Sequence, residues 1–140
     1  MRPALRSPLR ARGRGREDGG SVSLELVIIF PLILILLFLG FNYALYYHAR
    51  NVALAAAQEG LRTARAENGT EALGQQRAYE FLNRTGNNGV LSGVSVVPHR
   101  TTTEASITVS GESLDVLPLF KMPRVTQTAV GPVERFTTGP

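Results

Sequence analysis

The sequence predicts an α+β protein anchored in a membrane. A long N-terminal transmembrane helix continues outside, a short second helix follows, and a small antiparallel sheet of about three strands ends the chain. Three observations predict this plan. Residues Leu26 to Tyr47 form a run of 22 without a charge. The stretch after it keeps apolar residues at helical spacing. Beyond Val94 the pattern changes to alternation rich in β-branched residues.

The first twenty residues read as a leader. They carry six arginines (Arg2, Arg6, Arg10, Arg12, Arg14, Arg16) against Glu17 and Asp18. The other 120 residues hold nine basic and nine acidic side chains, so the formal charge of +4 sits entirely in the leader. A high pI of this origin does not describe a basic folded domain, and no nucleic-acid partner is expected. Arg12-Gly13-Arg14-Gly15-Arg16 has the look of an RNA-binding tract, but a positive flank to a membrane span explains it more simply. The absence of cysteine excludes disulfides, cysteine-ligated metals and a thiol nucleophile.

The span comes next. Its 22 residues cover about 33 Å as a helix, against a hydrocarbon core of about 30 Å. It is apolar all round, unlike an amphipathic soluble helix. Pro31 is expected within the first two turns, where a missing N–H costs least. Tyr43, Tyr46 and Tyr47 cluster at the far end like an interfacial belt. Six arginines before the span and only Arg50 close behind it place the leader in the cytoplasm. The domain limits are then a leader at 1–20, a transmembrane helix at 21–48 and an extracytoplasmic α+β domain at 49–140. A cleaved secretory signal is the competing reading, with Ala55-Ala56-Ala57 as its cut site. That apolar region is longer than the usual 7–15 residues, and the alanines lie past His48 and Arg50.

Outside, the helix is expected to continue to about Ala66, with Leu54, Ala57, Leu61 and Ala64 on one face. Ala56, Gly60 and Ala64 form a ladder of small residues every four positions, which admits a close helix neighbour. The neighbour is either this chain's own domain or another subunit. Asn68-Gly69-Thr70 breaks the helix, and Thr70 caps a second one from Glu71 to about Asn83. Thr85-Gly86-Asn87-Asn88-Gly89 is a turn cluster. Strands are expected at Val94 to Val97, Glu104 to Ser110 and about Arg124 to Val130, with Pro98-His99-Arg100-Thr101 joining the first two. Ala105, Ile107 and Val109 alternate with Ser106, Thr108 and Ser110, as in a half-buried strand. The apolar stretch Leu114 to Phe120 is either cover for the core or an exposed docking patch.

The junction of leader and span carries the most specific signal. In Gly19-Gly20-Ser21-Val22-Ser23-Leu24-Glu25-Leu26, a lone carboxylate opens the apolar run five residues after a glycine. A charge costs about 2.5–3.5 kcal/mol at the centre of hydrocarbon and less near its edge, so such residues are retained for function. The junction resembles the processing site of type IV pilin-like proteins. That resemblance implies a prepilin peptidase cutting after glycine, with a glutamate fifth in the mature chain. Gly20 then ends the leader, Ser21 begins the mature chain and Glu25 is its fifth residue. It further implies that Glu25 pairs with the new amino terminus of a neighbouring subunit.

Over residues 16–65 the chain is more closely similar to the TadE-like family, the pseudopilins of tight-adherence (Flp) pili. The likeness runs through Arg16-Glu17-Asp18-Gly19-Gly20-Ser21-Val22-Ser23-Leu24-Glu25, Phe30-Pro31-Leu32, Tyr46-Tyr47-His48-Ala49-Arg50 and Ala55-Ala56-Ala57-Gln58-Glu59-Gly60-Leu61-Arg62. Ser21 stands where major pilins have phenylalanine, and Pro31 comes early; both favour the TadE-like branch. The family implies a pilin-like fold and a non-catalytic part in filament assembly. It also implies a bacterial inner-membrane location, with lipid, a prepilin peptidase and other pilin-like subunits as partners. The alternative is an uncleaved single-pass signal-anchor whose outer domain binds an envelope partner.

No catalytic, metal or cofactor motif is expected. His48 and His99 stand far apart, one at the membrane interface and one beside a proline. No G-x-S-x-G, P-loop, Rossmann or H-E-x-x-H pattern occurs. Asn68-Gly69-Thr70 and Asn83-Arg84-Thr85 match the glycosylation pattern, which is common by chance and is set aside because the resemblance implies a bacterial protein.

Overall fold

A computed structural model describes residues 18–85, 89–117 and 119–135, with side chains from residue 23 onward. Leader residues 1–17, positions 86–88 of the turn cluster and Pro118 lie outside the described residues. Two units are distinguished, Met1–Ile35 and Leu36–Pro140. The elements match the expected α+β plan: α1 (Asp18–Arg65), α2 (Glu71–Thr85), β1 (Leu91–Arg100), β2 (Glu104–Ser113) and β3 (Val125–Pro132).

Helix α1 has 48 residues and is long and apolar enough to cross a membrane. Its apolar first part exposes Leu26, Val27, Ile28 and Phe30, side chains that water disfavours and lipid accepts. Because the helix begins at Asp18, Pro31 lies more than about three turns inside it rather than in its opening turns. There it withholds one i to i−4 hydrogen bond and leaves the Val27 carbonyl without that partner. Arg62 and Arg65 in the last turn suit the negative end of the helix dipole.

The chain then reverses sharply. The Gly69 amide donates to the Ala66 carbonyl at 2.8 Å. A Cβ on Gly69 would collide with the carbonyl oxygens of Thr63 and Ala64, so the reversal needs glycine. Thr70 caps α2 as expected: its Oγ1 accepts the Leu73 amide at 3.2 Å. Gly74, Ala78 and Leu82 form the buried side of α2. The Arg77 guanidinium binds Glu80 and reaches across to Glu59 of α1, both at 3.2 Å. Those two carboxylates, Glu80 foremost, push its pKa up. The pairs are partly exposed, so solvent screens them and they add little to stability.

The sheet is antiparallel throughout in the order β1-β2-β3. In β2, Ala105, Ile107 and Val109 are wholly buried and belong to the same core cluster as Ala53, Ala56, Ala57 and Leu61 of α1. The alternate residues Ser106, Thr108 and Ser110 form the other face, where Thr108 and Thr128 share a hydroxyl hydrogen bond of 2.9 Å. The first turn differs from the sequence expectation. Pro98, His99 and Arg100 belong to β1, opposite Ile107, Ser106 and Ala105. A proline is tolerated there because β1 is an edge strand with a free side. The turn falls at Thr101–Thr103, where Thr101 Oγ1 accepts the Glu104 amide at 3.0 Å. An irregularity between Ser92 and Ser95 holds Gly93 at φ +57°, the left-handed conformation that favours glycine at a bulge.

Within the second unit the sheet runs beside the outer part of α1. At one end Arg65 pairs with Glu134 at 3.2 Å, and Arg65 O accepts the Glu134 amide at 2.8 Å. At the other end Asn42 Oδ1 accepts the Val116 amide at 2.8 Å. Asn42 to Arg65 covers about 35 Å of helix. A ten-residue strand covers about 33 Å, so β2 matches that length.

Candidate processing and assembly site

Gly19, Gly20 and Ser21 lie in the first turn of α1. Two adjacent glycines weaken a helix by about 1 kcal/mol each relative to alanine, and the first turn of a helix frays. The backbone there is the cheapest part of α1 to unwind. Glu25 is exposed between Leu24 and Leu26, both well over half exposed. The ion pairs among the described residues all lie at Glu59 or beyond, so none reaches Glu25. A helical side chain leans toward its own N-terminus, which carries the Glu25 carboxylate back toward Ser21.

The small-residue ladder lies elsewhere. Ala56, Gly60 and Ala64 are buried. A Cβ built on Gly60 would lie 2.7 Å from the Gly74 carbonyl and 3.0 Å from Ala78 Cβ. One built on Gly74 would lie 2.7 Å from Ala64 Cβ. Of the two neighbours left open by the sequence, α2 of the same chain occupies this face around Gly60 and Ala64.

Asn42 escaped the sequence reading. It is wholly buried, and its Oδ1 bond to Val116 ties the segment after β2 to α1. Its Nδ2 finds no partner among the described residues. The signal was present: a lone amide inside an apolar run is costly unless it is bonded. Tyr46 packs against the core, whereas Tyr43 and Tyr47 stay exposed with ring centroids 6.2 Å apart. Protein thus covers part of the last turns of the expected span.

His48 and His99 are both exposed and on separate elements. Among the described residues no group of three potential metal ligands forms. An open groove at the far end of the sheet is lined by Glu67, Arg100, Thr101, Thr102, Glu134 and Arg135. Its mixed charges select neither anion nor cation.

The fold and the site together define a class: an α+β domain carried on a helix able to cross a membrane, with a glycine and a carboxylate at the entrance to that helix. Within that class, residues 20–62 match the family model described as TadE-like protein. The resemblance expected from the sequence is therefore found. The match opens on Gly20, includes Glu25 and the apolar helix, and closes at Arg62, before α2 and the sheet. No match was found among curated proteins or among solved structures.

Proposed function

We propose that the chain is a TadE-like pseudopilin, a non-catalytic membrane protein that takes part in assembling a tight-adherence pilus or related secretion filament. A prepilin peptidase cuts it after Gly20. The observation that carries this reading is the TadE-like match beginning at Gly20, with Glu25 five residues on. The weak helix at Gly19-Gly20 supports it, because a peptidase needs its scissile bond in extended backbone. The leader stays in the cytoplasm with its arginines, α1 crosses the bacterial inner membrane, and the sheet domain stands outside.

Cutting creates an ammonium at Ser21, on the positive end of the α1 dipole. A cation is disfavoured there unless a carboxylate compensates. Glu25 lies about 6 Å further along the axis and leans the right way. In an assembly the same carboxylate serves the amino terminus of a neighbouring subunit, so it sets the register between helices. Gly60 and Ala64 serve the chain's own α1–α2 contact, and Ala56 belongs to the same core.

The test is Gly20→Leu, expressed in cells with an active prepilin peptidase and followed by electrophoretic mobility. The bulky side chain is expected to block processing and leave only the long form. Normal shortening of this variant would rule out Gly20 as the cut site.

A further inference from the structure

The segment that follows β2 exposes large apolar side chains. Leu119 is 83% exposed, more than any other large apolar residue described, and Val116 and Phe120 are exposed by 44% and 43%. Their backbone is nevertheless held. The Val116 amide is bonded to the buried Asn42. Leu114 lines a small apolar hollow with Leu45, His48, Gly89 and Val90. A segment tied at two points while showing its apolar residues outward is built to present them.

Its height along α1 identifies the occupant. The uncharged apolar run of α1 ends at Tyr47, and Asn42, which holds Val116, lies within its last two turns. The neighbouring helix residues Leu36, Leu37, Phe41 and Tyr43 are also exposed, so the apolar loop continues an apolar helix surface. Exposed Asp115 and Lys121 flank the apolar residues Val116, Leu119 and Phe120, which suits headgroup depth and not the acyl interior. The other end of the sheet, at Thr101–Glu104, presents only polar residues to solvent.

We infer that Val116, Leu119 and Phe120 form a membrane-interface element: they insert among the lipid headgroups beside the point where α1 leaves the bilayer. The loop rests on the reading of α1 as a membrane crossing. It gives the outer domain a second hold on the lipid surface.

The chain has no tryptophan, so single reporters can be placed without background. Full-length Leu119→Trp, Thr102→Trp and Phe30→Trp are reconstituted separately in vesicles of phosphatidylethanolamine and phosphatidylglycerol. Each is measured with and without lipid brominated near the headgroup end of the acyl chains. Leu119→Trp is expected to emit to the blue, to be quenched by brominated lipid and to be shielded from iodide. Thr102→Trp is expected to show the opposite on all three counts. If Phe30→Trp meets lipid while Leu119→Trp is quenched only by iodide, the loop is in water and the inference falls alone. If Phe30→Trp does not meet lipid either, the membrane reading falls with it. Blue emission from Leu119→Trp that is indifferent to both quenchers and changes with protein density would assign the patch to a second copy, which also overturns the proposal.

Discussion

Glu25→Ala is expected to enter the membrane normally and to abolish productive assembly. The apolar run of α1 is untouched, so insertion into the bilayer has no reason to change. The loss falls on the pairing. Removing one member of a desolvated ion pair costs about 3–5 kcal/mol, because the other charge is left without a partner. At every subunit contact of a filament this exceeds a hundredfold in association, since each 1.4 kcal/mol is about tenfold. Filament output, measured in the sheared surface fraction and by electron microscopy, should fall below about a tenth of wild type. Membrane fractionation should show unchanged anchoring. Glu25→Asp keeps the charge on a shorter arm and should fall between the two. Unchanged output from Glu25→Ala would remove the role assigned to this carboxylate.

Gly60→Ala is the second large effect, and its sign is informative. By helix propensity alone, alanine should stabilise α1 by about 1 kcal/mol. The packing argues the reverse. The added methyl would lie 2.7 Å from the Gly74 carbonyl oxygen, a backbone atom that cannot rotate away. Overpacking of this kind costs about 1–3 kcal/mol. The melting temperature of the full chain in detergent should therefore fall. Gly74→Ala should act in the same direction, and the two together should cost less than their sum, because both force the same helices apart. Gly40→Ala is the control: nothing lies within 4 Å of its added methyl. A melting temperature raised by Gly60→Ala would mean that α1 and α2 do not approach as described.

Local chemistry makes much of the fold legible. The Thr70 cap needs only a hydroxyl three residues before an amide, and it forms where the sequence places it. The alternation of Ala105, Ile107 and Val109 with serine and threonine reads directly as a one-sided strand, because strand periodicity assigns faces without knowledge of partners. Pro98 reads as a turn residue, yet lies in a strand, because its constraint depends on whether the strand is an edge, and strand order is not a local property. Pro31 sits deeper than the apolar run alone suggests, because the helix starts earlier, in the polar junction at Asp18.

The long-range contacts are less visible. Gly60 is recognisable as a small position, but its partner Gly74 sits in another helix, and no periodicity links the two. Asn42 and Val116 are 74 positions apart, and only their hydrogen bond shows why an amide is kept in the apolar run. At the candidate site, the Gly20–Glu25 spacing is readable because both residues lie on one continuous segment.

The central claim is that this chain is a processed pseudopilin, and intact mass tests it most directly. The protein is extracted from membranes of cells carrying an active prepilin peptidase and weighed by mass spectrometry. The expected chain begins at Ser21 and lacks residues 1–20. A full-length mass under those conditions would contradict it and leave an uncleaved anchor.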